Sequence, residues 1–183
     1  MTDVLEIPKE LWLLTDHLYK HGMKKDNILL QNGTDEELLH IRTYLDTFDA
    51  NKKDARIPGS IYSVGNAFLL FLETLCEPVI PVRFHAKCLE ACNNYVLCRQ
   101  VVAGLPVVHF NVFRYVCAFL RDLLKRSADN KLDAKILATV FGAIFLRTPV
   151  EESDRQSRRI QSSITQKKSK FVFQFLVNDF NSS

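Results

Sequence analysis

One histidine and three cysteines near the middle of the chain have the side chains and the spacing of a metal site. His85, Cys88 and Cys92 follow one another at helical spacing, so a helix would place all three on one side. Imidazole and thiolate are common zinc ligands, and Cys98 offers a fourth. The alternative is that the cysteines are small apolar core residues, which is the commoner role of such thiols. Because no CxxC pattern accompanies them, we expect no metal ion and no other cofactor.

A tryptophan near the start of the chain is the next candidate for function. Leu11, Leu14 and Leu18 form one apolar stripe of a predicted helix, whereas Trp12 and Tyr19 lie together on another side, with Asp16 beside them. Tryptophan is usually a core residue. An aromatic surface beside a carboxylate is also a suitable site for an amphipathic partner helix, because aromatic residues dominate interface hot spots. The pattern leaves both interpretations open.

A basic cluster near the carboxyl end could contact anionic lipid. Such a cluster is more often a solvated segment, and Glu151, Glu152 and Asp154 dilute its charge. The sequence contains no GxSxG elbow, Walker loop or GxGxxG motif, which removes the common signatures of serine hydrolases and nucleotide-binding enzymes. The basic residues are Arg155, Arg158, Arg159, Lys167, Lys168 and Lys170.

The composition is that of a globular domain. The chain has 183 residues, of which 47% are hydrophobic and 25% charged, and its net charge of +3 is too small to indicate nucleic-acid binding. No apolar run is long enough to cross a bilayer, and the acidic start does not fit a signal peptide. Five cysteines without a framework spacing indicate reduced thiols. We expect a cytoplasmic protein.

Helical periodicity runs through almost the whole chain and predicts an all-α bundle. Pro8 and Gly22 bracket the first helix, and Thr34 with Glu37 forms a capping box before the second. Polar residues 49–60 predict a loop, and Asp133 is a predicted helix cap. Core stripes are predicted at Leu38, Ile41, Leu45 and Phe48; at Val64, Ala67, Phe68, Phe71, Leu72 and Leu75; at Val112, Tyr115, Val116, Phe119, Leu120 and Leu123; and at Ile136, Leu137, Val140, Phe141 and Phe145.

The carboxyl-terminal part has two differently composed pieces. Residues 150–170 are polar and lack a core stripe, which predicts a surface loop or a disordered segment. The second piece, residues 171–183, begins with the apolar stretch FVFQFLVNDF, in which the alternation of Phe171, Phe173 and Phe175 is also compatible with a strand. Since the remaining pattern offers no sheet edge, we predict a closing helix on the bundle core of residues 7–149.

Three motifs in register resemble the GTPase-activating domains of the RhoGAP family. The stretch LCEPVI at 75–80 resembles their LPEPxI turn, LPVVHFNVFRYVCAFLRDLL their long central helix, and ILATVFGAIFLRTP their NLAxVFGPxLLRxP helix. The stretches IPKELWLLTDHLY and NVFRY resemble more closely one branch, the carboxyl-terminal domain of type II inositol polyphosphate 5-phosphatases, which comprises the Lowe-syndrome phosphatase and its paralogue. The resemblance implies a RhoGAP-like helical bundle from a larger phosphatase.

Active RhoGAP domains carry GxxRxSG in the first loop, and their arginine finger accelerates hydrolysis by about 10³ to 10⁵. Aligning the second glycine on Gly33 places Leu30 in the arginine position; moving the alignment by one places Gln31 there. Lys24 or Lys25 would be the remaining source of charge. By the same resemblance, a lysine and an arginine are replaced by Leu69 and Glu73, and two asparagines by Ile136 and Ile144. These departures predict that the domain is not a working enzyme.

In this branch the resemblance implies an adaptor function at early endosome and Golgi membranes. Its members bind endosomal adaptor proteins that carry a short amphipathic helix with an essential Phe and His (the F&H motif), on a surface that includes the tryptophan matching Trp12. Asp16 and Tyr19 join that surface by helix geometry. The resemblance also implies contacts with Rac, Cdc42 or Arf GTPases without stimulated hydrolysis, and membrane association through partners. Because the net charge is small, we expect no nucleic-acid partner. The alternative is an active GTPase-activating protein for a Rho-family GTPase.

Overall fold

The computed structural model describes residues 6–49, 56–148 and 158–178. Within these residues every regular element is a helix, so the prediction of an all-α fold is confirmed. Two compact units share the chain: one contains Ile7–Phe71 and Arg126–Leu132, and the other contains Met1–Glu6, Leu72–Lys125 and Asp133–Ser183. None of the helices in the described ranges combines the length and the apolar composition that a bilayer crossing requires.

The first unit holds α1 (Lys9–His21), α2 (Asp35–Thr47), α7 (Ser127–Asn130) and all but the last two residues of α3 (Ile61–Glu73). The predicted stripe of α1 is buried, with Leu11 and Leu14 at 0% and Leu18 at 1% exposure. Residues 56–60 precede α3 without helix, as predicted, and residues 50–55 of the same loop lie outside the described ranges.

The start of α2 corrects one detail of the capping box. Thr34 accepts a hydrogen bond from the Glu37 amide at 3.3 Å, as predicted. The Glu37 carboxylate does not return to Thr34; it accepts hydrogen bonds from the Ser60 amide, the Ser60 hydroxyl and the Ser63 hydroxyl. The serine donors at the start of α3 compete successfully for the carboxylate, so Glu37 links α2 to the segment before α3.

The second unit contains a 3₁₀ turn (Val82–Phe84), α4 (His85–Ala91), α5 (Tyr95–Ala103), α6 (Val107–Leu124), α8 (Ala134–Phe145) and α9 (Arg158–Val177). Asp133 caps α8 as predicted, accepting from the Lys135 and Ile136 amides at 2.8 and 2.9 Å. Ile136 departs from the predicted α8 stripe, because its side chain is 39% exposed.

A phenylalanine cluster forms the core of this unit. The Phe113 ring lies 4.9 Å from Phe175 and 5.4 Å from Phe145, centroid to centroid, and Phe171 lies 5.3 Å from Phe175. Offset and edge-on aromatic pairs at these separations stabilise a core beyond their apolar burial. Helix α6 therefore meets both α8 and α9 through aromatic rings.

The carboxyl-terminal helix corrects the prediction for residues 150–170. Helix α9 begins at Arg158 rather than at Phe171, while Arg155 and the rest of 149–157 lie outside the described residues. The buried residues of α9 are Phe171, Val172, Phe175 and Leu176, a helical spacing that replaces the alternative of a strand. Packing of this apolar end stabilises the helix, and the polar residues extend it at low cost because helix propagation is easier than nucleation. Residues 179–183 lie outside the described residues.

Candidate functional site

The outward side of α1 presents the three residues predicted to bind a partner. Trp12 is 49% exposed and Tyr19 is 40% exposed, although both are large and largely apolar. Asp16 lies between them in sequence and is half-buried. Since residues three and four positions apart are neighbours on a helix, the three side chains share one face. We call Trp12, Asp16 and Tyr19 the aromatic face.

An adjoining side of α1 is packed into the core, which determines the direction of the aromatic face. Thr15 is completely buried, and its hydroxyl donates to the Leu11 carbonyl at 2.9 Å. With Leu11, Leu14 and Leu18 also buried, α1 cannot rotate without exposing its leucines. Trp12 is therefore held at the surface, and the interpretation as a core residue is wrong for this tryptophan.

Asp16 already has a partner on its own helix. The Lys20 ammonium lies 2.6 Å from the Asp16 carboxylate, one helical turn away. Such exposed pairs contribute only about 0.3–0.5 kcal/mol. A ligand donor of moderate strength can therefore displace Lys20 from Asp16.

The same unit contains a cleft whose lining residues, other than Lys25, were not predicted from the sequence. This cleft of about 720 Å³ opens beside the end of α1, and we call it the basic cleft. Its members lie far apart in sequence, since they come from α1, from the turn after it and from the segment before α3. The HxxxH spacing of His17 and His21 is the one local sequence pattern that points to this cleft. The cleft is lined by His17, Lys20, His21, Lys25, Arg56, Ile57, Pro58, Gly59 and Ile61.

The electrostatics of the basic cleft are visible at His17. Burial lowers the pKa of His17 below its ordinary value, and the neighbouring positive charges of His21, Arg56 and Lys20 lower it further, against a smaller opposing effect of Asp16. The His17 and His21 rings lie 4.7 Å apart, centroid to centroid. The cleft therefore concentrates positive potential.

The first loop, from Met23 to Thr34, contains no arginine. Its backbone is nevertheless held firmly by neighbouring segments. Asn27 and Leu29 have positive φ angles of 53° and 73°, and the Asn27 amide donates to the Asn130 carbonyl at 2.8 Å. The Gly33 amide donates to Asn66 at 3.1 Å, and a Cβ added at Gly33 would lie 2.3 Å from the Ser63 hydroxyl oxygen. Only glycine fits this approach of loop and helix.

The side chains of this loop offer little to a phosphoryl group. Leu30 is 36% exposed and carries neither charge nor donor. Gln31 is exposed, and its amide donates to the Asp26 carbonyl at 3.4 Å. Lys24 and Lys25 are both exposed, and Lys25 also lines the basic cleft.

The other positions that the resemblance relates to catalysis are divided between the two units. Leu69 is half-buried on α3 in the first unit, while Glu73, Ile136 and Ile144 belong to the second. Glu73 and Ile136 are exposed, but Ile144 is only 4% exposed. Ile144 is therefore a core residue, and its apolar side chain is explained by packing.

The proposed metal ligands do not form a ligand set. His85 Nε2 lies 2.7 Å from the Ile80 carbonyl oxygen, and the thiol of Cys98 donates to the Ala91 carbonyl at 3.1 Å. Burial raises the pKa of Cys88 and of Cys98 to about 12, so both thiols are protonated. Among the residues that the structure describes, no group of three His, Cys, Asp or Glu side chains could hold a metal ion.

Comparison with known proteins identifies the family. The RhoGAP domain model matches residues 8–150. The chain is 41% identical over 94% of its length to the mouse type II inositol 1,4,5-trisphosphate 5-phosphatase, of which it spans 16%. It is 31% identical to human Rho GTPase-activating protein 24, over 75% of this chain and 19% of that protein.

Solved structures agree on the fold. The crystal structure of human Rho GTPase activating protein 15 superposes with a TM-score of 0.80 at 20% identity, covering 93% of this chain and 81% of that one. The resemblance to the RhoGAP-like domain of type II inositol 5-phosphatases is confirmed by the 41% identity. With a family model matching most of its length, this chain belongs to the RhoGAP domain family.

Proposed function

We propose that this chain is a non-catalytic RhoGAP-like adaptor domain that recruits an inositol polyphosphate 5-phosphatase to endosomal and Golgi membranes. Recruitment proceeds through partner proteins that carry an F&H-type amphipathic helix. One observation supports the proposal above all: α1 exposes 49% of Trp12 beside Asp16 and Tyr19, while its leucine stripe is buried. The link to a phosphatase rests on the similarity to the mouse type II enzyme.

The aromatic face matches the chemistry of a Phe and a His on one side of a helix. The partner's phenylalanine packs against Trp12 and Tyr19, because burying two exposed aromatic surfaces releases water from both. The partner's histidine donates to the Asp16 carboxylate, replacing Lys20. Since Trp12 and Asp16 are one turn apart, the peptide's Phe and His need a similar spacing.

The loss of catalysis is supported by the first loop. An arginine finger stabilises charge on the transferred phosphoryl group, and Leu30 in the aligned position supplies no charge. Contacts with Rac, Cdc42 or Arf GTPases would then be binding contacts only.

Peptide binding by substituted chains tests the adaptor proposal. A synthetic amphipathic peptide with Phe and His one turn apart is titrated by calorimetry into the chain and into Trp12→Ala. Removing a central aromatic anchor is expected to weaken binding by at least about thirtyfold. Leu39→Ala is the matched control, because Leu39 is 62% exposed and apolar but lies on α2. Equal affinities of Trp12→Ala and Leu39→Ala would place the peptide elsewhere.

The alternative, an active GTPase-activating protein, is supported by the relatives named as GTPase-activating proteins. A single-turnover GTP hydrolysis assay with Rac and with Cdc42 separates the two functions. Adding this chain is expected to leave the hydrolysis rate within about twofold of the intrinsic rate, because an arginine finger alone is worth about 10³ or more. A hundredfold acceleration would establish catalysis.

A further inference from the structure

The basic cleft gathers basic side chains from three separate segments. His17, Lys20 and His21 come from the last two turns of α1, Lys25 from the following turn, and Arg56 from the segment before α3. Cations at a helix carboxyl terminus are stabilised by the helix dipole, which accounts for Lys20 and His21. It does not account for Lys25 and Arg56, which lie outside the helix.

Most of the positive charge of the basic cleft has no acidic partner among the residues that the structure describes. Among the lining residues there is no carboxylate. Lys20 is the one lining cation with an ion pair in the described ranges, and its partner Asp16 belongs to the aromatic face. The two imidazoles of the cleft do not belong to any group of three His, Cys, Asp or Glu side chains that could hold a metal ion among the described residues. The electrostatic complement of the cleft is an anion.

The wall that carries Arg56 is held in place before any ligand binds. Gly59 has a φ of +88°, and a Cβ there would lie 3.3 Å from the Glu37 Cβ. The Ser60 amide and hydroxyl donate to the Glu37 carboxylate at 3.2 and 3.0 Å. The Glu37 carboxylate is thus engaged by serines, and these contacts preorganise the cleft wall before a ligand binds.

We propose that the basic cleft is a binding site for a small polyphosphorylated anion, either free in solution or as a lipid headgroup. A volume of about 720 Å³ is large enough for such a ligand. The Arg56 guanidinium can bind a phosphate by donating two parallel hydrogen bonds, while the flexible Lys20 and Lys25 side chains act as point charges. A nucleic-acid strand fits less well, because the positive charge is confined to one cleft and the net charge is only +3. This site does not depend on the adaptor function.

Calorimetry with defined anions tests the site. Inositol 1,4,5-trisphosphate and inorganic phosphate are titrated into the whole chain, into Lys25→Gln/Arg56→Gln, and into Lys24→Gln/Arg42→Gln. The second pair is the matched control, because it removes the same charge from exposed residues outside the cleft. We expect the cleft variant to bind the trisphosphate at least about tenfold more weakly, and the control to stay within about twofold. Inorganic phosphate should bind more weakly than the trisphosphate.

Vesicle cosedimentation distinguishes the two sources of the anion. Phosphatidylcholine vesicles with 5% phosphatidylinositol 4,5-bisphosphate are compared with vesicles of equal charge made with phosphatidylserine. Bisphosphate-dependent sedimentation that the soluble trisphosphate competes away assigns the cleft to a lipid headgroup. Trisphosphate binding without vesicle binding assigns it to a free ligand. The proposal is overturned if the wild-type chain does not bind the trisphosphate at millimolar concentration. It is also overturned if the two double variants lose the same amount of affinity for the trisphosphate.

Discussion

Lys20 lies between two surfaces of the first unit: its ammonium is 2.6 Å from the Asp16 carboxylate of the aromatic face, and its side chain lines the basic cleft. One cation thus serves two surfaces. A peptide histidine that bonds to Asp16 must displace Lys20, whereas an anion in the cleft draws Lys20 toward itself. Lys20 therefore weakens binding of the peptide and strengthens binding of the anion.

Lys20→Met is expected to separate these effects. The peptide should bind about twofold more tightly, because the exposed pair that it must break is worth about 0.3–0.5 kcal/mol. The trisphosphate should bind more weakly, since the cleft loses a charge. Calorimetry with each ligand measures both changes. A change of the same sign for both ligands would show that Lys20 does not connect the two surfaces.

His17→Gln is expected to flatten the pH dependence of stability near neutrality. Burial, together with His21, Arg56 and Lys20, holds the folded-state pKa of His17 below 6.5, against the opposing charge of Asp16. The neutral form is therefore favoured by folding, so this histidine destabilises the fold as the pH falls from 6.5 through its lowered pKa. Urea unfolding between pH 7.5 and 5 measures the effect.

His40→Gln is the control for this experiment, because His40 is exposed on α2. The change in pH dependence caused by His17→Gln should exceed the change caused by this variant. If His17→Gln retains the wild-type loss of stability at acidic pH, another group is responsible.

Glu37→Gln is expected to remove a stabilising contribution that is present above pH 4.5. Hydrogen bonds from Ser63 and Ser60 lower the pKa of Glu37 below 4.5. The ionised form is thus favoured by folding, so its stabilisation is complete above pH 4.5 and is lost as the pH falls through the lowered pKa. Thermal unfolding at pH 7 should show a lower Tm for Glu37→Gln than for Glu36→Gln. Equal Tm values would mean that the serine contacts do not anchor the segment before α3.

Gly142→Ala is expected to destabilise the second unit. An added Cβ would lie 2.9 Å from the Lys168 carbonyl carbon and 3.0 Å from the Ser169 nitrogen, so α8 and α9 must move apart. Overpacking of this kind costs about 1–3 kcal/mol, against a gain in helix propensity of about 1 kcal/mol. Gly104→Ala is the control, because its Cβ would meet nothing closer than 3.4 Å. A Tm for Gly142→Ala above that of the control would contradict the close helix contact.

The sequence predicted local features better than features assembled from distant segments. The buried stripe of α1 follows from the helical spacing of Leu11, Leu14 and Leu18, whereas the exposure of Trp12 was one of two interpretations that the pattern left open. The basic cleft could not be predicted, since Arg56 and Lys25 are brought together only by tertiary structure. The start of α9 was missed because residues 158–170 have no buried stripe of their own. Ile144 resembled a lost catalytic position, but its burial is a property of the folded core.

Tryptophan fluorescence tests the central claim most directly, because Trp12 is the single tryptophan of the chain and is half exposed. Titrating a Phe/His amphipathic peptide that itself lacks tryptophan should shift the emission to shorter wavelength in a saturable manner, and the same peptide with its Phe changed to Ala should not. Emission that stays unchanged while calorimetry records binding, or that responds equally to both peptides, would contradict an adaptor function centred on Trp12.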